Sequence, residues 1–376
     1  MKYYIIAGEA SGDLHGSNLM RALKMIDAQA EFRFWGGDLM LAESENIRKH
    51  YKEMAFMGFV EVAVNLRQIL RNLADCKDDL LANRPDVLIL VDFPGFNLKI
   101  AEFAKREGIK VCYYISPKVW AWNQKRVLKI KKVVDKMFCI LPFEVDFYKA
   151  WGMEVNYVGN PLLDAIEVYP FTSNFRDENN LDGKPIVALL PGSRKQEIER
   201  LLPEMLKVTT DFPDHQFVIA GAPTFDKAYY QQFMAGKNNP IVFGHTYDLV
   251  RNAQAALVAS GTATLETALL NTPQVVCYKG NPLSIAIAKL LIKIKFISLV
   301  NLIMDKLVVQ ELIQEDCNHK KIKAELNSIL NDPKYRQAML NNYAQLQERM
   351  GDPGASERTA KLIVAYIKSK ELKNKE

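Results

Sequence analysis

At 376 residues the chain is too long for one ordinary hydrophobic core, and its content of 49% hydrophobic and 25% charged residues is that of an ordinary globular protein. Its 49 basic and 44 acidic residues leave a net charge of only +5, which reads as a solvated surface and, without any DNA- or RNA-binding motif, argues against a nucleic-acid partner. No uncharged apolar run reaches membrane-spanning length, because Lys289, Lys293 and Lys295 interrupt the longest candidate at 282–304; the chain reads as soluble or at most peripheral.

The chain enters a strand at once, Tyr3-Tyr-Ile-Ile-Ala7, with no signal peptide in view. A glycine loop, Gly8 to Gly16, and a helix over 14–27 follow. Apolar runs predict further strands at 31–35, 87–92, 110–115 and 136–140, with helices over 66–83 and 98–107. The polar stretch Tyr169 to Gly183 has little apolar periodicity and reads as a linker. The pattern then restarts at Pro185-Ile-Val-Ala-Leu-Leu190, with strands near 216–220, 240–243, 254–259 and 274–278 and helices over 194–209 and 262–270. Beyond Cys317 the chain is helical, broken at Asp332-Pro333 and at Asp352 to Ala355.

Alternating apolar strands and helices mean parallel sheets covered on both faces. The expected class is α/β, with two doubly wound, Rossmann-like domains facing a central cleft. The expected divisions are an N-terminal domain at 1–165, a linker at 166–183 and a C-terminal domain at 184–350, then a helix and frayed tail at 351–376 that is free to pack back on the N-terminal domain. The five cysteines are scattered and odd in number, which fits core thiols in a reducing cytosol better than disulfides or a zinc site.

In such a fold, chemistry sits on the loops that leave the carboxyl ends of the strands. The most informative one is Ala259-Ser-Gly-Thr-Ala-Thr-Leu-Glu266. Gly261 allows a tight turn, and Thr262, Ala263 and Thr264 open a helix whose free N–H groups suit phosphate. Glu266, one turn in, suits the two hydroxyls of a ribose, so the layout fits a nucleoside diphosphate. Pro191-Gly-Ser-Arg194 opens the second half, where Ser193 lies in a loop open to a ligand and Arg194 can fork onto a diphosphate.

In the first half, Gly8 to Gly16 is G-x3-G-x3-G and not the dinucleotide fingerprint, so no bound NAD is expected. Either Ser11 or Asp13 there caps the helix, or these residues and His15 make a polar floor for a sugar or phosphate. Asp92, at the end of the apolar strand Val87 to Val91, is either a general base for a hydroxyl or a cap for the next helix. Ser116-Pro-Lys-Val-Trp-Ala-Trp-Asn-Gln-Lys-Arg126 joins Trp120 and Trp122 to Lys125 and Arg126, a mixture that suits sugar rings or acyl chains beside phosphate. The basic run continues through Lys129, Lys131 and Lys132, which fits an anionic membrane surface and a plain solvated face about equally. Asn301, Gln310 and Glu311 are polar groups in an otherwise apolar region and carry little by themselves.

Taken together, the stretches GEASGDLHG (8–16), MGFVEV (57–62), DFPGFN (92–97), SPKVWAWNQKR (116–126), LPFE (141–144), VGNPLLD (158–164), LLPGSR (189–194), ASGTATLE (259–266) and SLVNL (298–302) resemble the lipid-A-disaccharide synthase family. The similarity runs from residue 1 to about 320. The resemblance implies a GT-B fold and an inverting transfer from UDP-2,3-diacylglucosamine to 2,3-diacylglucosamine 1-phosphate (lipid X), giving the β-1,6-linked lipid A disaccharide 1-phosphate and UDP. It implies Asp92 as the base on the acceptor 6-hydroxyl, with Arg194 and the helix start at 262–264 stabilising the departing UDP, so that no metal or other cofactor is needed. It places Glu266 on the ribose, Asn301 and less firmly Gln310 and Glu311 along the donor sugar or diphosphate, and Ser11 and His15 on the acceptor side.

Acylated substrates further imply a cytoplasmic protein peripheral on the inner membrane, with an apolar surface sought in Met54 to Val62. Relatives form homodimers by exchanging C-terminal segments, which this sequence leaves open. Where many relatives carry a second acid this chain has Gly95, so Asp92 stands alone; prolines of many relatives are replaced by Val300 and Val309. A related UDP-sugar enzyme, such as an N-acetylglucosamine transferase or a 2-epimerase, would share ASGTATLE but has no need of the SPKVWAW loop. A non-catalytic nucleotide-sugar or lipid-binding protein would tolerate the loss of Asp92.

Overall fold

The computed structural model describes residues 1–54, 66–281 and 295–373. Its described strands form two sheets. The first contains β1 (Lys2–Ala7), β2 (Glu31–Gly36), β3 (Ile47–His50), β4 (Val87–Val91), β5 (Lys110–Tyr114), β6 (Lys136–Cys139) and β7 (Asn156–Tyr157), in the order β3-β2-β1-β4-β5-β6-β7. The second contains β8 (Ile186–Leu190), β9 (Gln216–Gly221), β10 (Ile241–Phe243), β11 (Ala253–Ala259), β12 (Gln274–Tyr278) and β13 (Glu311–Ile313), in the order β10-β9-β8-β11-β12-β13. Every pairing in both sheets is parallel.

The central strands are unbroken apolar runs because helices cover both of their faces. Val87-Leu-Ile-Leu-Val91 and Ile186-Val-Ala-Leu-Leu190 are buried at every position. Alternate side chains enter opposite cores, as the two-residue period of a strand requires. Tyr3, Ile5, Val87 and Ile89 pack with Leu19, Met20 and Leu23 of the Ala10–Ile26 helix. Tyr4, Ile6, Leu88 and Leu90 pack on the other face with Leu73, Cys76 and Leu80 of the Leu66–Asn83 helix. On that face Tyr4 Oη donates to Asp79 at 2.7 Å and accepts from Trp35 Nε1 at 2.7 Å, while Arg33 pairs with Asp79 at 2.8 Å.

The chain divides into two compact units, one of Met1–Asp164 with the segment from Asp352 onward, the other of Ala165–Gly351. The Ala355–Lys373 helix belongs to the first unit because Ala360, Ile363, Val364 and Ile367, one face at i, i+3, i+4 and i+7, enter the core beside β1, β4 and β5. Asp164 Oδ1 accepts from the N–H of Gly354 at 2.6 Å, and Arg358 donates to the carbonyls of Val158, Asp352 and Pro353 at 2.7–2.8 Å. The polar stretch after residue 168 is anchored to the second unit. Phe175 is buried in its core, and Asp248 accepts from Tyr169 Oη at 2.8 Å and from the N–H of Thr172 at 3.0 Å.

The structure adds three strands to those read from the sequence, β3, β7 and β13, which are short and lie at sheet edges or carry polar residues. Two helices also begin earlier than apolar periodicity suggested. One starts at Ala10, inside the glycine loop, and the other at Pro94, where proline suits a first helical turn. Of the apolar segment Met54 to Val62, Met54 is buried and 55–62 lie outside the described residues.

Truncating Ile363 to alanine should empty a fully buried site and lower stability by about 2–5 kcal/mol. Urea unfolding of the intact chain would show this as a lower midpoint, and an unchanged midpoint would mean that the C-terminal helix contributes little to the first unit's core.

Candidate active site

Each sheet reverses its winding once near its centre, between β1 and β4 in the first and between β8 and β11 in the second. Loops leaving two such neighbouring strands turn in opposite directions and open a crevice at their carboxyl ends. The loops singled out above leave these four strands and β5.

In the first unit, Asp92 follows β4 and is half-buried. Asp92 and Phe93 both hold left-handed backbone, with φ of 43° and 49°, a conformation disfavoured for residues with side chains. The turn is fixed by its neighbours. The Asp92 N–H donates to the Tyr114 carbonyl at 3.1 Å, and the Asp92 carbonyl accepts from Asn97 Nδ2 at 2.8 Å and Tyr113 Oη at 2.5 Å. The Phe93 ring lies over Gly8, where an added Cβ would stand 2.2 Å from it, so glycine is required there. Burial pushes the Asp92 carboxyl up to about 6; Lys118 pulls it down and Glu9 pushes it up more weakly. A carboxyl at that value changes its protonation close to neutral pH.

In the same unit, Ser11 is exposed in the first turn of the Ala10–Ile26 helix. His15 is half-buried, its Nδ1 is enclosed without a partner, and burial lowers its pKa to about 4, so it is neutral at pH 7. Asp13 caps not its own helix but the next one, accepting from the N–H groups of Gly37 at 2.7 Å, Leu39 at 3.1 Å and Met40 at 3.1 Å. The two tryptophans separate. Trp120 is 8% exposed, edge-on to Phe143 at 5.0 Å, with Nε1 donating to Glu144 at 3.3 Å. Trp122 is 52% exposed and carries the Arg126 guanidinium over its ring at 4.9 Å. Trp120 thus shapes the loop from within, and Trp122 offers the open aromatic face. Lys125 is exposed and Arg126 half-buried.

In the second unit, Ser193 and Arg194 are exposed in the loop between β8 and the Lys195–Lys207 helix. Glu197 reaches back to that loop, accepting from the N–H groups of Ser193 at 3.2 Å and Arg194 at 3.3 Å and facing the Arg194 side chain at 3.4 Å. Gly192 has φ +106°, and a Cβ there would stand 2.4 Å from the Glu197 carboxylate. At the other loop, Gly261 has extended backbone (φ 164°), so no tight turn demands glycine. A Cβ at Gly261 would meet nothing within 4 Å, which leaves an open approach to the Thr262–Leu269 helix start. Among the described residues no side chain caps this helix. Thr262 is exposed, Ala263 half-buried, and buried Thr264 donates its hydroxyl to the Gly261 carbonyl at 2.8 Å. Glu266, half-buried, accepts from Tyr247 Oη at 2.8 Å.

Asn301 is wholly buried and its amide is fully used. Its Nδ2 donates to the Val309 carbonyl at 2.8 Å and to Glu311 at 2.9 Å, and its Oδ1 accepts from the N–H groups of Val308 and Val309 at 2.8 and 3.0 Å. Glu311 also accepts from the N–H groups of Ile297 and Ser298 at 2.9 Å each. The pair acts as a clasp that shapes this loop from inside. The N–H of Val276 donates to the Gln310 carbonyl at 3.0 Å, and Gln310 is half-buried. Sequence reading passed over Glu197, Tyr247 and the buried Glu144. Glu197 alone had a legible signal, an acid three residues after a helix-opening Arg194.

Two parallel, doubly wound units with these loops define a GT-B-like fold. The structure is similar to a UDP-N-acetylglucosamine 2-epimerase from Listeria monocytogenes, described as putative in its source (TM-score 0.67, 13% identity, 99% of this chain and 97% of that one). It is also similar to the UDP-GlcNAc 2-epimerase from Neisseria meningitidis bound to UDP-GlcNAc (TM-score 0.64, 12% identity, 98% and 100%). At such identities the likeness is one of fold. The sequence goes further. The lipid-A-disaccharide synthetase family model matches residues 3–363. The lipid-A-disaccharide synthase of Syntrophus aciditrophicus is 42% identical over 97% of both chains, and that of Trichlorobacter lovleyi is 40% identical over 96% of this chain and 97% of its own. The chain belongs to the lipid-A-disaccharide synthetase family, and its activity is that of a lipid-A-disaccharide synthase.

The raised Asp92 pKa has a thermodynamic consequence. The folded state holds this proton more tightly than an ordinary carboxyl of 3.8, so the stability it lends is full below about pH 4 and is lost as pH rises through about 6. Asp92→Asn should therefore gain stability over wild type by about 1–3 kcal/mol at pH 8, with the gain shrinking toward pH 5. Urea midpoints at the two pH values measure this, and a gain independent of pH would contradict the burial argument.

Proposed function

We propose that the first unit activates the acceptor and the second holds the donor in one displacement. The donor is UDP-2,3-diacylglucosamine and the acceptor is 2,3-diacylglucosamine 1-phosphate. Asp92 takes the proton of the acceptor 6-hydroxyl as the oxygen attacks the donor's anomeric carbon. The bond from that carbon to the β-phosphate oxygen breaks on the opposite face, UDP leaves with the electron pair, and the new β-1,6 link is inverted. The observation that carries the assignment is the half-buried Asp92 at the switch point, with its carboxyl near 6 and its turn locked by Asn97 and Tyr113.

The departing UDP gains negative charge in the transition state, and preorganised donors aimed at it lower the barrier. Arg194 and the uncapped N–H groups of the Thr262–Leu269 helix are suited to that task. The diphosphate must displace Glu197 from the N–H groups of Ser193 and Arg194, an exchange of one anion for another that keeps the loop in shape while it is empty. Glu266 takes the ribose. Ser11 and neutral His15 line the acceptor side, where a neutral imidazole offers a hydrogen bond without adding charge.

Both substrates are lipids, so the protein works at the cytoplasmic face of the inner membrane. Exposed Trp122 and Leu128 beside Lys125 and Arg126 support this, since they pair apolar surface with positive charge. No helix among the described residues is long and apolar enough to cross a membrane. A homodimer is compatible with the reading and is not needed for it.

Asp92→Ala, assayed with both lipid substrates, should lower kcat by about 10²-fold or more while UDP binding stays near wild type. Full activity in the variant would remove Asp92 as the base.

A further inference from the structure

The Tyr247 phenol sits on the Thr246–Arg251 helix that follows β10, and its hydroxyl donates to Glu266 Oε1 at 2.8 Å. Among the described residues only Tyr247 bonds the Glu266 carboxylate, through Oε1, and Oε2 accepts from none of them. A glutamate side chain has three rotatable bonds, and without a partner its carboxylate samples many orientations. One bond to Oε1 removes that freedom and directs Oε2.

The tyrosine is itself held. Its ring packs on Tyr169 at 5.1 Å between centroids, and Tyr169 Oη is tied to Asp248 Oδ2 at 2.8 Å. Tyr169 packs on Phe171 at 4.8 Å, and the Arg251 guanidinium lies over Phe171 at 4.4 Å. The phenol is therefore fixed before any nucleotide arrives. Burial pushes the Glu266 carboxyl up, and the Tyr247 bond opposes that by favouring the ionised form, which is the one that accepts from hydroxyls.

We propose that Tyr247 is a positioning residue for nucleotide recognition: by occupying Oε1 of Glu266 it aims Oε2 at the ribose diol. The proposal rests on the reading of Glu266 as the ribose carboxylate. Nothing in the sequence marks Tyr247, because it lies on a short helix nineteen residues before the carboxylate it serves.

The test compares binding of UDP with binding of 2′,3′-dideoxyuridine diphosphate, which lacks both ribose hydroxyls. The full-length chain would be measured by calorimetry as wild type, Tyr247→Phe and Glu266→Gln. Tyr247→Phe keeps the ring packed on Tyr169 and removes only the hydroxyl. The expected result is that it raises the Kd for UDP about 5- to 20-fold and leaves the dideoxy analogue within about twofold, as a lost charge-assisted hydrogen bond would. Glu266→Gln should abolish the same preference. A merely structural role for Tyr247 would weaken both ligands alike and overturn the proposal. If Glu266→Gln removes the preference for UDP and Tyr247→Phe does not, the positioning role is wrong and the ribose reading stands. If neither variant changes the preference, both are wrong.

Discussion

A parallel sheet that reverses its winding cannot close over the ends of its two central strands. The loops leaving those strands diverge, and the backbone N–H groups of the following helices point into the space between them. In this chain both sheets meet that constraint, at β1/β4 and at β8/β11, and Ser11, His15, Asp92, Ser193, Arg194 and the 259–266 segment all follow these strands. Buried apolar strands such as Val87–Val91 fix the sheet; the sheet fixes the loops; only then do particular side chains matter.

In the proposed mechanism the two units solve different electrostatic problems. The first must keep a carboxyl able to take a proton near neutral pH, and it does so by burying Asp92 on a left-handed turn beside one exposed lysine, Lys118, rather than in a salt bridge. The second must hold a highly charged leaving group, and it leaves a helix start uncapped and an arginine exposed. Glu197 holds the N–H of Ser193, and Tyr247 holds one carboxylate oxygen of Glu266; the proposed phosphate and ribose roles rest on these two bonds. Structural ion pairs such as Arg33 with Asp79 lie on the packed faces of the first sheet, away from these loops.

Most of the fold was legible because long apolar runs bounded by glycine loops admit few other readings. The strands that sequence analysis missed are the ones without such a run. Ile47-Arg-Lys-His50 carries charge, and Asn156-Tyr157 is only two residues long. Asp92 and the 259–266 loop could be singled out as candidates because the pattern that suggests their chemistry lies in the order of residues along the chain. Other features depend on distant partners. That Trp120 is buried and Trp122 exposed follows from Phe143 and Glu144, some twenty residues away. That Asn301 and Glu311 bind one another follows from a loop that folds back on itself. Asp13 read as either a cap for its own helix or part of a polar floor, yet it caps the next helix across β2.

The central claim is that Asp92 acts as the base. It is tested most directly by the pH dependence of kcat/KM for the two acylated sugars, since that quantity reports the free enzyme. A base at Asp92 gives an acid limb that falls about tenfold per pH unit below an apparent pKa near 6, the value to which burial raises this carboxyl, and that is absent from the residual activity of Asp92→Asn. A profile flat down to pH 5, or an acid limb that survives in Asp92→Asn, would contradict it.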